Sequence, residues 1–233
     1  IMTLRDIDKV FKVPTELKAL LCQEMYQKFL HKFAILRKLL RMHPDLAPAV
    51  VATLSERQGV PGETTFVQQA VAETAVCTTF GEFSYSSTLL MEPAEFDVGT
   101  WFSEACLWGN WERVGTLTSK SKSRWLDLDA RQFRVRVQEH PSLDVRRVFS
   151  AYVQLYASQV TLSGAWLDVA VDVHERQLLE GLARKAMELH SWTRRPIRLA
   201  HSNEAHSTPQ SLFVSDESTT PCAAVAMRAD PPG

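Results

Sequence analysis

The chain predicts a mainly α-helical bundle with one long amphipathic helix and a C-terminal helical pair. A small β element and an extended polar tail complete the expectation. Three observations lead there. Apolar residues recur at spacings of three and four between Thr15 and His43. Two further stripes of the same period run from Val145 to Val160 and from Leu167 to Leu189. After Ala200 the chain turns polar and turn-rich, and Pro231-Pro232-Gly233 closes it. Helical periodicity is the strongest local signal of fold class, and low apolar content marks segments that cannot order themselves.

The first stripe is Cys22, Met25, Phe29, Phe33, Leu36 and Leu40. Pro14-Thr15-Glu16 suits a helical first turn, because proline fixes the backbone there and an acid meets the positive end of the dipole. Arg41 and His43 suit the other end, and Pro44 stops the helix. A shorter helix is expected from Pro48 to Gln58, ended by Gly59, Pro61 and Gly62. Thr64 or Thr65 would cap another through Val67, Val71 and Ala75. Phe80 to Met91 mixes aromatic and β-branched residues with serine, which suggests a strand or an extended loop. Pro93 then starts a helix through Phe96, Trp101, Ala105 and Trp108.

Residues 109–124 read as a loop, and Gln132 to Gln138 alternates like a short strand. Ser142 caps the first helix of the C-terminal pair. A rival α+β reading places a hairpin around 158–171, where Val160, Leu162, Leu167, Val169 and Val171 alternate about Ser163-Gly164. In domain terms, 1–199 is one helix-rich domain and 200–233 the tail.

Composition limits the function classes. A net charge of −1 argues against a surface that binds polyanions all over. The four cysteines, Cys22, Cys77, Cys106 and Cys222, form no Cys-x-x-Cys pair. They read as buried free thiols in a reducing intracellular compartment. No run reaches the length of a membrane span. The first residue is Ile1, so an upstream segment is expected, and an import peptide would lean the location toward the mitochondrion.

Several constellations invite chemistry. Trp101, Trp108, Trp111 and Trp125 flank the basic stretch Lys120 to Arg124. Trp111 and Trp125 are the tryptophans expected to anchor a partner, since tryptophan is enriched where binding energy concentrates. Lys120, Lys122, Arg124, Arg134 and Arg136 would serve an RNA-binding coat protein, with Arg194 and Arg195 as a second patch. His174 beside Glu175 lacks the second histidine of a zinc-binding His-Glu-x-x-His helix. His190, His201 and His206 are irregularly spaced for a metal site. Asp127, Asp129, Glu92, Glu95 and Asp97 fit helix starts better than paired acid–base work. Phosphate-cradling loops and the nucleophile elbow are missing, and no cofactor or metal is implied.

The resulting expectation is a non-catalytic structural or assembly subunit of a larger complex. It would bind protein partners through the long helix, the tryptophan-containing loop and the tail. In the tail, Leu212, Phe213 and Val214 form the one compact apolar handle and are expected to be the anchor. The RNA-binding coat protein is the alternative, and an enzyme without a recognisable motif is the weaker one.

Overall fold

The computed structural model describes residues 15–163, 166–170 and 173–193. All of them fall in one compact unit, Ile1–Pro196. Leu212, Phe213, Val214 and the expected tail lie outside the described residues.

Among the described residues three helices come first: α1 (Thr15–Leu30), α2 (Ala34–Met42) and α3 (Leu46–Val51). Eight strands follow: β1 (Leu54–Gly59), β2 (Thr64–Phe66), β3 (Thr74–Phe80), β4 (Phe83–Ser87), β5 (Ala94–Phe96), β6 (Trp101–Phe102), β7 (Gly115–Ser119) and β8 (Ser123–Asp129). One 3₁₀ turn, Glu104–Leu107, interrupts them. Helices α4 (Ala130–Gln138), α5 (Leu143–Ser163) and α6 (Val173–Thr193) close the unit.

The mainly helical expectation is therefore overturned. The strands form two four-stranded antiparallel sheets, ordered β1-β8-β3-β6 and β2-β7-β4-β5, so the fold is α+β with substantial sheet. The hairpin expected around 158–171 is not where the sheet lies: residues 158–163 continue α5.

The reason is burial on both faces. In β3, Ala75 and Cys77 join the core shared with the helices, while Val76 faces the second sheet. In β8, Leu126 and Leu128 take the helical side and Trp125 the inter-sheet side. A strand covered on both faces loses the apolar–polar alternation that would announce it. The expected strand at 132–138 is helix α4 instead. Asp129 caps it by accepting from the Gln132 N–H at 2.7 Å, and Phe133 and Val137 are buried one turn apart.

The long first helix is also two. Lys32 N–H bonds back to the Phe29 carbonyl and Phe33 N–H to the Leu30 carbonyl, a tightened last turn. Phe33 then leaves the helical region at φ −71°, ψ 123°. The sheet holds this break in place. The Trp101 indole N–H donates to the Phe29 carbonyl at 2.9 Å, and its ring lies 4.3 Å from Phe33. That carbonyl sits in the last turn of α1, where intrahelical partners run out.

Candidate functional site

The most heavily engaged polar group among the described residues is the carboxylate of Asp168, in the connector Trp166–Ala170 between α5 and α6. The residue is 3% exposed. Its Oδ2 accepts from the Tyr85 hydroxyl at 2.8 Å and from the Val114 and Gly115 N–H groups, each at 2.9 Å. Its Oδ1 accepts from the Trp111 indole at 2.7 Å and from the Ser103 hydroxyl at 3.1 Å. Five donors on one buried carboxylate account for its main acceptor sites. The Asp168 carbonyl accepts a sixth bond, from the Ser103 N–H at 2.5 Å.

Local backbone geometry aims these donors. Ser103 ends β6 in the left-handed region, at φ 57°, and so turns both its N–H and its hydroxyl toward the connector. Gly115 opens β7 against the ring of Tyr85, where an added Cβ would lie 2.4 Å from Cζ. Only glycine lets that backbone come close enough to share Tyr85's acceptor. Burial and the neighbouring carboxylate push the Tyr85 hydroxyl far above the usual phenol pKa, which keeps its proton available for donation.

Arg113 lies in the same loop but faces elsewhere. Its guanidinium stacks 4.1 Å from the Phe66 ring centre and donates to the Thr74 carbonyl at 3.2 Å. Burial pulls its pKa down, and the negative charge of Asp168 opposes that pull. Its Nε is buried without a hydrogen-bond partner.

Beside the nest is an open cavity of about 630 Å³. Its walls come from the α1–α2 junction, the stretch from β5 to the 3₁₀ turn, the connector and the start of α6. Glu104 lines it too. That carboxyl accepts from the Tyr152 hydroxyl at 3.1 Å, and burial raises its pKa from the usual 4.5 to about 7. Tyr152 itself sits among Trp108 and Tyr156, ring to ring.

A second polar cluster joins the α2–α3 corner to the α4–α5 corner. His140 is 3.2 Å from Asp45, and its Nδ1 accepts from the Ser142 N–H at 3.2 Å. The Ser142 hydroxyl lies 3.4 Å from Nε2 of a different histidine, His43. The hydroxyl and the carboxylate thus engage separate rings, and no serine–histidine–aspartate relay is formed.

The residues singled out from sequence are dispersed. Trp125 is buried between the sheets, against Gly59 and edge-on to Phe83. Trp111 is part-buried and spends its indole N–H on Asp168. Lys120 and Lys122 lie in the turn that carries the chain from β7 in one sheet to β8 in the other, and Arg124 lies in β8, whereas Arg134 and Arg136 lie on α4. Lys120 pairs with Glu95, and Arg124 is 4.0 Å from Glu56 and stacks on Phe80. Arg134 donates to the Cys106 carbonyl at 2.7 Å, while Lys122 and Arg136 are exposed. His174 is exposed near the start of α6. Asp127 pairs with Arg57 at 3.2 Å and Asp129 caps α4. Cys22, Cys77 and Cys106 are buried, and burial raises the thiol pKa of Cys77 and Cys106. His201, His206, Arg194, Arg195 and Cys222 lie outside the described residues, as does the side chain of His190. No group of three or more metal-ligating side chains occurs among the described residues.

Sequence reading missed Asp168 and Glu104. Asp168 stands in Trp-Leu-Asp-Val, which looks like an ordinary stripe, and its donors lie up to 83 positions away. No helix among the described residues is long and apolar enough to cross a membrane. Comparison with protein-family models and with curated proteins finds no match to this chain.

Proposed function

We propose that the chain is a non-catalytic subunit that joins a larger protein assembly, with α1 as its principal contact. One observation carries this reading. Helix α1 buries Cys22, Tyr26, Phe29 and Leu30 against the core, yet also presents Leu17, Leu20 and Leu21 to solvent at 49%, 59% and 36% exposure. A helix that is apolar on its outer side as well as its inner side is normally covered. Its neighbour α2 buries Ile35, Leu36, Leu39 and Leu40, turns Arg41 outward and exposes one large apolar residue, Met42, at its end.

The site's polar chemistry fits the same reading. The lone pairs of Asp168 are occupied by donors that fasten the connector, which leaves that carboxylate engaged rather than placed to move a proton. The tail anchor Leu212, Phe213 and Val214 belongs to the proposal as a further contact.

The test is light scattering during size-exclusion chromatography of native extract, with Leu20→Glu as the variant. The expected result is elution well above the chain's own 26.3 kDa, lost in the variant. A lone 26.3 kDa species from wild-type extract contradicts the proposal.

A further inference from the structure

We infer that Asp168 is the catch of an intramolecular latch: its capture in the donor nest holds the connector Trp166–Ala170 and helix α6 against the body, and its release frees both while the sheets stay folded. The inference concerns how this unit opens and does not depend on which partner α1 meets.

The connector spans two cores. Trp166 packs on Tyr156 in the helical core, with ring centres 5.3 Å apart. Val169 is buried in the inter-sheet core, and Leu167 packs beside it. Asp168 lies between them. Its five donors come from β4, the end of β6, the loop before β7 and the first residue of β7. All of these belong to the sheets and their loops, and their positions are set by strand pairing and by the αL turn at Ser103. The receptor for the carboxylate is thus built without the connector.

Helix α6 packs chiefly on α5 and α2 rather than on the sheets. Among the described residues its buried side chains are Leu182, Ala183 and Ala186, two of them alanines. Leu179 and Met187 add partial contacts, an Arg37–Glu180 ion pair adds a surface tie, and Leu189 is largely exposed. Surface ion pairs contribute little, so α6 rests on its apolar packing against α5 and α2, and the connector is its main tie to the sheets. The 630 Å³ cavity lies directly between the start of α6, the connector and the β5–β6 region, so the first turns of α6 are not packed against the sheets there. Elements with few buried contacts open locally before the whole fold does. A carboxylate that satisfies five buried donors makes such an opening all-or-none, because partial withdrawal strands several of them at once.

Hydrogen exchange read by mass spectrometry on the full chain tests this. In Asp168→Ala, exchange across 166–170 and 173–193 should rise at least about tenfold and approach that of unstructured chain, while the amides of β3, β4, β7 and β8 stay strongly protected. Unchanged exchange in α6, or loss of protection from α6 and the sheets together, overturns the latch. If Asp168→Ala does not fold, Ser103→Gly decides: it removes one donor and suits the αL backbone. A rise of about threefold across 166–193 with the sheets still strongly protected supports the latch, and an unchanged profile, or one in which the sheets lose protection as well, overturns it.

Discussion

Asp168 and Glu104, two of the carboxylates that line the cavity, meet opposite surroundings. Asp168 takes five donors, two of them backbone N–H groups opening β7. Glu104, one residue past the αL turn, takes the Tyr152 hydroxyl, and burial raises its pKa to about 7. Donors from the protein make the first a fastener, while burial makes the second a group that is neutral in mild acid. The connector is thus held to the sheets through a carboxylate that takes five donors, and the helix side carries a carboxyl that burial favours in its neutral form.

The contrast can be broken most severely at Asp168. Asp168→Ala strands the Tyr85, Trp111, Val114 and Gly115 donors together. A loss of about 4 kcal/mol is expected, since each buried donor left unpaired costs about 1–3 kcal/mol and some regain water. Denaturant unfolding measures it. Next comes Gly115→Ala, whose Cβ would meet Tyr85 Cζ at 2.4 Å and the Ser86 carbonyl at 2.5 Å. One neighbour is backbone and the other a buried ring, so about 3 kcal/mol should be lost in the same experiment.

Glu104→Gln sharpens the other half. The folded pKa of about 7 lies above the usual 4.5, so the native state binds the extra proton between those values. Wild-type stability should therefore fall as pH rises from 4.5 to about 7 and level off above. The glutamine variant lacks this slope. It should match wild type near pH 4 and exceed it by about 3 kcal/mol at pH 8, a gain that a melting series against pH will register. Smallest of all is Lys120→Ala. The Lys120–Glu95 pair is solvent-exposed, and the melting temperature should not move.

Much of the helical part was legible in sequence because each helix keeps one covered face. The stripe through Val145, Phe149, Tyr152 and Tyr156 gives α5, and Leu182 with Ala186 gives α6. The sheets were not legible, for a physical reason that β3 displays: Thr-Ala-Val-Cys-Thr-Thr-Phe is buried on both sides and has no alternating polar face. Strands of two or three residues, such as β6 and β2, give no period at all. Trp101 and Trp108 at i, i+7 suggested one helix, whereas Trp101 lies in β6 and Trp108 follows a single 3₁₀ turn; both are buried. The site was hidden more deeply still. A carboxylate whose donors are 53 to 83 positions away leaves no spacing to read.

A double-mutant cycle between Asp168→Ala and Tyr85→Phe tests the fastening most directly. If the 2.8 Å bond from Tyr85 is part of one cooperative nest, the two losses should fall short of additivity by about 1–3 kcal/mol in equilibrium unfolding. Losses that simply add, to within about 0.5 kcal/mol, would contradict the claim that Asp168 is held by a shared set of donors.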